Sequence, residues 1–87
     1  MTSNQLYHIG IAGTYTIKPG AGYLEGITIN TAPGGAVTVY DSLTATGTKL
    51  AVFPSSAVVG TYEYHGNFYT GLTVVVVTSG DLTVTYT

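Results

Sequence analysis

The sequence feature that most constrains the fold is the apolar run Leu72–Thr78, which contains four consecutive valines. Side chains alternate between the two faces of a β-strand, so Val75 and Val77 are predicted to point away from the face that Leu72 shares with its i+2 neighbours. A chain of 87 residues builds one hydrophobic core, and that core can cover only one of the two faces. We therefore expect a second burial surface over Val75 and Val77, supplied by another subunit.

The small size of the chain also favours association. A domain of this length buries only about 60–65% of the surface that its unfolded chain exposes, so it is marginally stable alone. The sequence has no Cys for a disulfide, and its two histidines, His8 and His65, are too far apart in sequence for a Cys/His zinc site. No metal or other cofactor is predicted, and a homo-oligomer is the expected source of further stability.

Composition narrows the class of partner. Only 7% of the residues are charged, against about 25% in ordinary globular proteins, while 45% are hydrophobic, so the chain is predicted to fold rather than to be disordered. Protein interfaces are poor in charged residues, and such a surface therefore suits protein contacts. A net charge of −2 provides no attraction to nucleic acid or to an anionic membrane, and the apolar runs are shorter than the roughly 20 residues of a membrane helix.

Hydrophobic residues recur with a period of two, and no window shows the period of a helix. Eight β-strands are predicted, over Gln5–Ile11, Thr14–Lys18, Tyr23–Thr31, Ala36–Tyr40, Lys49–Phe53, Val58–His65, Leu72–Thr78 and Leu82–Tyr86. Short strands with turns at intervals of about 8–12 residues are typical of a β-sandwich or jelly roll. The predicted fold is a single all-β antiparallel sandwich over residues 14–87, preceded by an N-terminal arm or first strand over residues 1–13.

The last two predicted strands give the strongest hairpin signal, because residues 79–81 (Ser-Gly-Asp) join two alternating runs. Another turn is predicted at residues 66–67 (Gly-Asn), directly after the sixth strand. The predicted core residues are Ile27, Ile29, Val37, Val39, Leu72, Val74, Val76, Leu82, Val84 and Tyr86.

The four carboxylates do not form a recognisable catalytic pattern. Asp41 and Asp81 fall in predicted turns, where Asp is favoured for its local hydrogen bonds. Glu25 is predicted to share a strand face with Ile27 and to pair with one of the two lysines. No serine or cysteine nucleophile stands in a catalytic motif beside either histidine, so an enzyme is not predicted. A metal site at a trimer axis, with one His per subunit, is the minority alternative.

Four aromatic residues, Tyr62, Tyr64, Phe68 and Tyr69, lie close together in the sequence. Tyr is enriched in interfaces because it buries a large area and keeps a polar tip. This group is interpreted as a tyrosine-lined edge of the core, a protein contact or a surface that stacks on sugars. The absence of Trp disfavours sugar, and the scarcity of basic residues disfavours single-stranded nucleic acid. We predict these four residues as secondary partner contacts, after the two valines.

Four short segments of strand and turn sequence follow one another along the chain: Ala36–Asp41 (AVTVYD), Gly47–Leu50 (GTKL), Gly71–Val75 (GLTVV) and Leu82–Tyr86 (LTVTY). Over residues 23–87 the chain resembles the small all-β virion proteins of tailed bacteriophages, of the capsid decoration (cement) type. The resemblance implies a trimer on the outside of a capsid that clamps neighbouring major capsid subunits, without catalytic residues. Such a protein is made in the host cytoplasm, and residues Met1–Gln5 are predicted to reach along the capsid as an arm.

The alternative is a receptor- or glycan-binding module of a phage tail or fibre. It predicts an exposed tyrosine-lined groove whose sugar binding depends on Tyr64. A third hypothesis is a polymerising β-fibre subunit, because a valine-rich strand is prone to β-stacking.

Overall fold

The computed structural model describes residues 5–87, which form eight strands and no helix. The strands are β1 Gln5–Ile9, β2 Gly13–Pro19, β3 Gly22–Thr31, β4 Val37–Asp41, β5 Thr48–Phe53, β6 Gly60–Phe68, β7 Gly71–Val76 and β8 Asp81–Tyr86. Val, Ile, Thr and Tyr dominate these segments, and such residues favour a pleated, half-buried strand.

The strands form two four-stranded antiparallel sheets. Sheet A has the order β1-β8-β3-β6 and sheet B the order β2-β7-β4-β5. The pairs β1–β8, β2–β7, β3–β6 and β4–β5 describe one long hairpin whose tip lies between β4 and β5. This hairpin is rolled over so that β3 also pairs with β8 and β4 with β7. The order is that of an eight-stranded jelly roll, which confirms the predicted fold class.

The core lies between the two sheets and is closed by side chains from both. Leu72, Val74 and Val76 of β7 are buried, as alternation predicts. The other buried hydrophobic side chains are Ile9, Leu24, Ile27, Ile29, Val37, Val39, Ala57, Phe68, Leu82 and Val84. Tyr86, predicted as a core residue, packs against this core and is partly buried.

The predicted hairpin between β7 and β8 is wrong, because the two strands belong to different sheets. After Val76 the chain crosses from sheet B to sheet A. The crossing packs on the neighbouring β3–β4 connection, where the Gly34 N–H donates to the Ser79 carbonyl at 2.8 Å. A Ser-Gly-Asp segment therefore makes a bend between sheets here instead of a turn within one.

The predicted turn at residues 66–67 is also wrong, because β6 continues to Phe68. The register between β3 and β6 shifts from Leu24 to Gly26, so one residue of β3 opposes two of β6. This β-bulge gives His65 a φ of 56°, in the left-handed region. Against β8 the same part of β3 carries one extra residue, Glu25, so Leu24 and Ile27 both face the core although they are three residues apart. Glu25 consequently lies on the outer surface of sheet A and does not share the face of Ile27.

The N-terminal segment contributes an edge strand to sheet A. Gln5–Ile9 pairs with β8 throughout its length, and Ile9 is part of the core. The predicted arm over Met1–Gln5 lies outside the described residues except for Gln5, which begins β1. Within residues 5–87, no helix is long and apolar enough to cross a membrane.

Candidate functional site

The outer face of sheet B carries an uncharged row of valine and threonine side chains. Val75 is in register with Thr14 on one side and with Thr38 on the other, and Thr38 is in register with Val52. Val77 follows at the end of β7. Val75 is half-buried between its neighbours, whereas Val52 and Val77 are 55% and 61% exposed. We call these five residues the valine face.

The β4–β5 loop covers the adjoining part of the same sheet. Thr73 is fully buried beneath this loop, and its hydroxyl donates to the Ser42 carbonyl at 2.7 Å. The Thr16 hydroxyl donates to the Leu43 carbonyl at 3.1 Å. The β4–β5 loop therefore covers the outer face of β7 at Thr73. The valine face is the part of the outer surface of sheet B that this loop leaves open.

The outer face of sheet A has the opposite character, because it carries both histidines and three of the four carboxylates. At one end, the His8 Nε2 lies 2.8 Å from Asp81 Oδ1. The Asn30 amide donates to the same oxygen at 3.0 Å. Both hydrogen bonds lower the pKa of Asp81, and the one from Asn30 has the larger effect. The pairing of β1, β8 and β3 brings the three residues together from distant parts of the chain.

The other cluster on sheet A lies at the β-bulge. His65 Nε2 is 2.7 Å from Glu63 Oε1, and its Nδ1 is 3.6 Å from Glu25 Oε1. The partner of Glu25 is therefore a histidine, not the predicted lysine. The cluster borders a depression of about 230 Å³ lined by Glu25, Gly26, Thr61, Glu63, His65 and Thr85. Within residues 5–87, no three His, Cys, Asp or Glu side chains are grouped so that they could hold a metal ion.

His65 is expected to stay protonated to a higher pH than an ordinary histidine. The hydrogen bond to Glu63 and the charges of Glu63 and Glu25 raise its pKa above 6.5, despite a smaller opposing effect of desolvation. Because the folded-state pKa is raised, the stabilisation by the His65 ion pairs is complete below pH 6.5 and is lost as the pH rises through the folded-state pKa.

An NMR titration of the His65 imidazole should give a pKa above 6.5, and Glu63→Gln should lower that pKa. Asp81→Asn, in the other cluster, should leave it unchanged; a reversed pattern would contradict the assignment.

The four aromatic residues predicted as contacts do not form one surface. The Tyr62 ring packs on Phe53 with centroids 5.1 Å apart, and its hydroxyl donates to the Val58 carbonyl at 2.6 Å. Tyr62 thus closes the gap between the edge strands β6 and β5. Tyr64 is 39% exposed. Phe68 is fully buried in the core, so its side chain is not available to a partner, whereas the adjacent Tyr69 is 74% exposed.

One feature that the sequence did not reveal is a cleft at the end of the sandwich. Its volume is about 410 Å³, and it lies between the β2–β3 turn, the β6–β7 turn and the end of β8. Its lining residues are Lys18, Ala21, Gly22, Tyr23, Asn67, Phe68, Tyr69 and Thr87. The residues come from two turns, the end of β8 and Lys18 of sheet B, which long-range pairings and the packing of the two sheets bring together, so no sequence motif marks the cleft.

Asp41 fixes the β6–β7 turn beside this cleft. Its carboxylate accepts hydrogen bonds from the backbone N–H groups of Tyr69, Thr70 and Gly71, at 2.8–3.4 Å. Desolvation raises the pKa of Asp41, but the three amide hydrogen bonds together outweigh it and lower the pKa below 3.8. Successive N–H groups that converge on one anion are a common way to hold a tight turn.

Comparisons of the chain with protein-family models, with curated proteins and with solved structures give no match. The two unlike sheet faces and the end cleft are therefore the basis for a functional proposal.

Proposed function

We propose that this protein is a non-enzymatic structural component of a bacteriophage virion, a capsid decoration protein that binds as a trimer on the capsid exterior and clamps neighbouring major capsid subunits. The observation that carries the proposal is the valine face, an uncharged and partly exposed sheet surface on a domain with a complete core of its own. The resemblance of residues 23–87 to decoration proteins gives the class of assembly.

The valine face has the chemistry of a subunit contact. Burial of apolar surface stabilises by about 25 cal/mol per Å². Val52, Val75 and Val77 supply apolar area, and the threonines between them are β-branched, so all five side chains lose little rotational freedom when they are covered. Because the valine face contains no charged side chain, its burial in an interface leaves no unpaired charge without water.

The two faces of the sandwich suggest how the protein is oriented. The ionisable groups on sheet A, such as Glu63 and His8, are well hydrated and suit a surface that stays in water. Sheet B is then the side that meets other subunits and the shell. Three copies that bind together multiply weak single contacts, because each contact after the first is effectively intramolecular.

Charge on the valine face is expected to abolish self-association. Light scattering coupled to size-exclusion chromatography should give a trimer for the unaltered protein and a monomer for Val77→Glu and for Val75→Glu. Val77 is 61% exposed, so Val77→Glu is not expected to disturb the fold. Leu6→Glu places the same charge at a 70% exposed apolar position on sheet A, as a matched control, and should remain a trimer.

Two results would contradict this assignment. One is a monomeric unaltered protein at high concentration, and the other is a trimer that survives both valine substitutions. The virion location is tested separately by electron microscopy with an antibody against the protein, which is expected to label the capsid exterior. Label confined to tails or fibres would contradict the decoration role.

A further inference from the structure

The cleft at the end of the sandwich is shallow and open to solvent, and backbone hydrogen bonds fix the positions of the segments that surround it. The Gly20 N–H donates to the Thr70 carbonyl at 2.9 Å, which joins the β2–β3 turn to the β6–β7 turn. Tyr23 and Thr87 exchange two backbone hydrogen bonds, at 3.1 and 2.8 Å, which join β3 to the end of β8. The separation of the walls is therefore set by the sheet itself rather than by loose side chains.

The lining of the cleft combines aromatic surface with a few polar groups. Tyr69 presents a 74% exposed phenol ring from the β6–β7 turn, and Tyr23 lies on the β3 side. Lys18 comes from β2 of sheet B, and its Nζ donates to the Thr87 carbonyl at the end of β8 at 3.1 Å. An ammonium group has three donors, so two remain for a ligand. Asn67 adds an amide that both donates and accepts.

We propose that this cleft binds one pyranose ring of a saccharide, and that the exposed ring of Tyr69 supplies the stacking surface that a Trp would otherwise give. A pyranose has an apolar C–H face and a rim of hydroxyl groups, which matches a lining that combines an aromatic ring with the polar groups of Lys18 and Asn67. The cleft, of about 410 Å³, is open to solvent, which suits contact with one face of a single sugar ring. One lysine is too little positive charge for a nucleotide's phosphates, for which several cationic or helix N-terminal groups are usual.

Asp41 acts as a positioning residue for this site. Its carboxylate binds the N–H of Tyr69 itself and those of the next two residues, so the turn that carries the ring is held in one conformation before a ligand arrives. A preordered turn reduces the entropy lost on binding. The site shares no residue with the valine face, so it is independent of the proposed trimer contact and goes beyond the proposed structural role.

The test is a titration of the ¹⁵N-labelled protein with a panel of methyl glycosides: glucoside, galactoside, N-acetylglucosaminide and glucuronide. Glycoside concentrations up to about 10 mM nearly saturate a single site with a Kd of about 1 mM. At least one glycoside is expected to shift the amide signals of the two turns, near Gly20 and Tyr69. Tyr69→Ala should weaken binding about tenfold or more, and Asn67→Ala should weaken it too.

Tyr64→Ala is the matched control, because it removes another exposed tyrosine of β6 that is not in the cleft lining. It should bind as the unaltered protein does, and dispersed amide spectra show that each variant is folded. No shift with any of the four glycosides, shifts located away from the two turns, or a loss with Tyr64→Ala and not with Tyr69→Ala would each overturn the proposal. These outcomes leave the trimer test on the valine face unaffected.

Discussion

Replacing Phe68 with alanine is expected to destabilise the protein by about 3–5 kcal/mol, the usual cost of truncating a buried phenylalanine. Phe68 is the largest fully buried side chain, and it comes from the end of β6 where sheet A closes on sheet B. Small domains are stable by only about 5–15 kcal/mol, so this loss removes a large share of the stability and should lower the urea midpoint clearly. Urea denaturation followed by circular dichroism, at one fixed protein concentration, measures the change.

Tyr69→Ala provides the matched control, since it removes the next aromatic side chain along the chain. Tyr69 is 74% exposed, and its backbone N–H stays bound to Asp41 whatever the side chain is. Its free energy of unfolding should change by no more than about 0.5 kcal/mol. If Phe68→Ala kept its stability and lost only self-association, Phe68 would be a partner contact, as the sequence alone had suggested, and the packing described above would be wrong.

The positions of the strands were predictable because alternation is a local property. In β7 the side chains of Leu72, Val74 and Val76 face the core, as a period of two predicts, and Val77 directly after the strand is 61% exposed. Pairing was not predictable, because the partners of β7 are β2 and β4, which lie 30 or more residues earlier in the chain. A turn-like sequence such as residues 79–81 does not determine whether the next strand pairs within the same sheet or belongs to the other sheet.

The candidate sites show the same limit. The surplus apolar face at Val75 and Val77 was visible in the sequence, since it depends only on alternation. The irregularity at Glu25 and His65 was not, because Glu25 is an extra residue of β3 relative to β8, which changes the facing of that strand and moves Glu25 to the surface. The end cleft joins Lys18, Tyr69 and Thr87 through long-range pairings, and the spacing of these residues carries no signal.

Removal of the Asp41 carboxylate is the other large effect that we expect. Asp41→Ala should destabilise the protein by about 2–3 kcal/mol at neutral pH, because the N–H groups of Tyr69, Thr70 and Gly71 lose a charged acceptor. Asp41→Asn keeps one side-chain oxygen acceptor without the charge, so its loss should be about half as large. Equilibrium urea unfolding of the three proteins across a pH series separates the two contributions.

The pH dependence of these differences has a definite sign. The folded-state pKa of Asp41 is lowered below 3.8, so its stabilisation is present above pH 3.8 and is lost as the pH falls through the folded-state pKa. The advantage of the unaltered protein over Asp41→Asn should therefore shrink below pH 3.8. Asp81, whose pKa is also lowered, contributes equally to both proteins and cancels in the comparison. If that advantage were unchanged down to pH 2, the ionised carboxylate would not be what holds the β6–β7 turn, and the ordering of Tyr69 beside the cleft would need another cause.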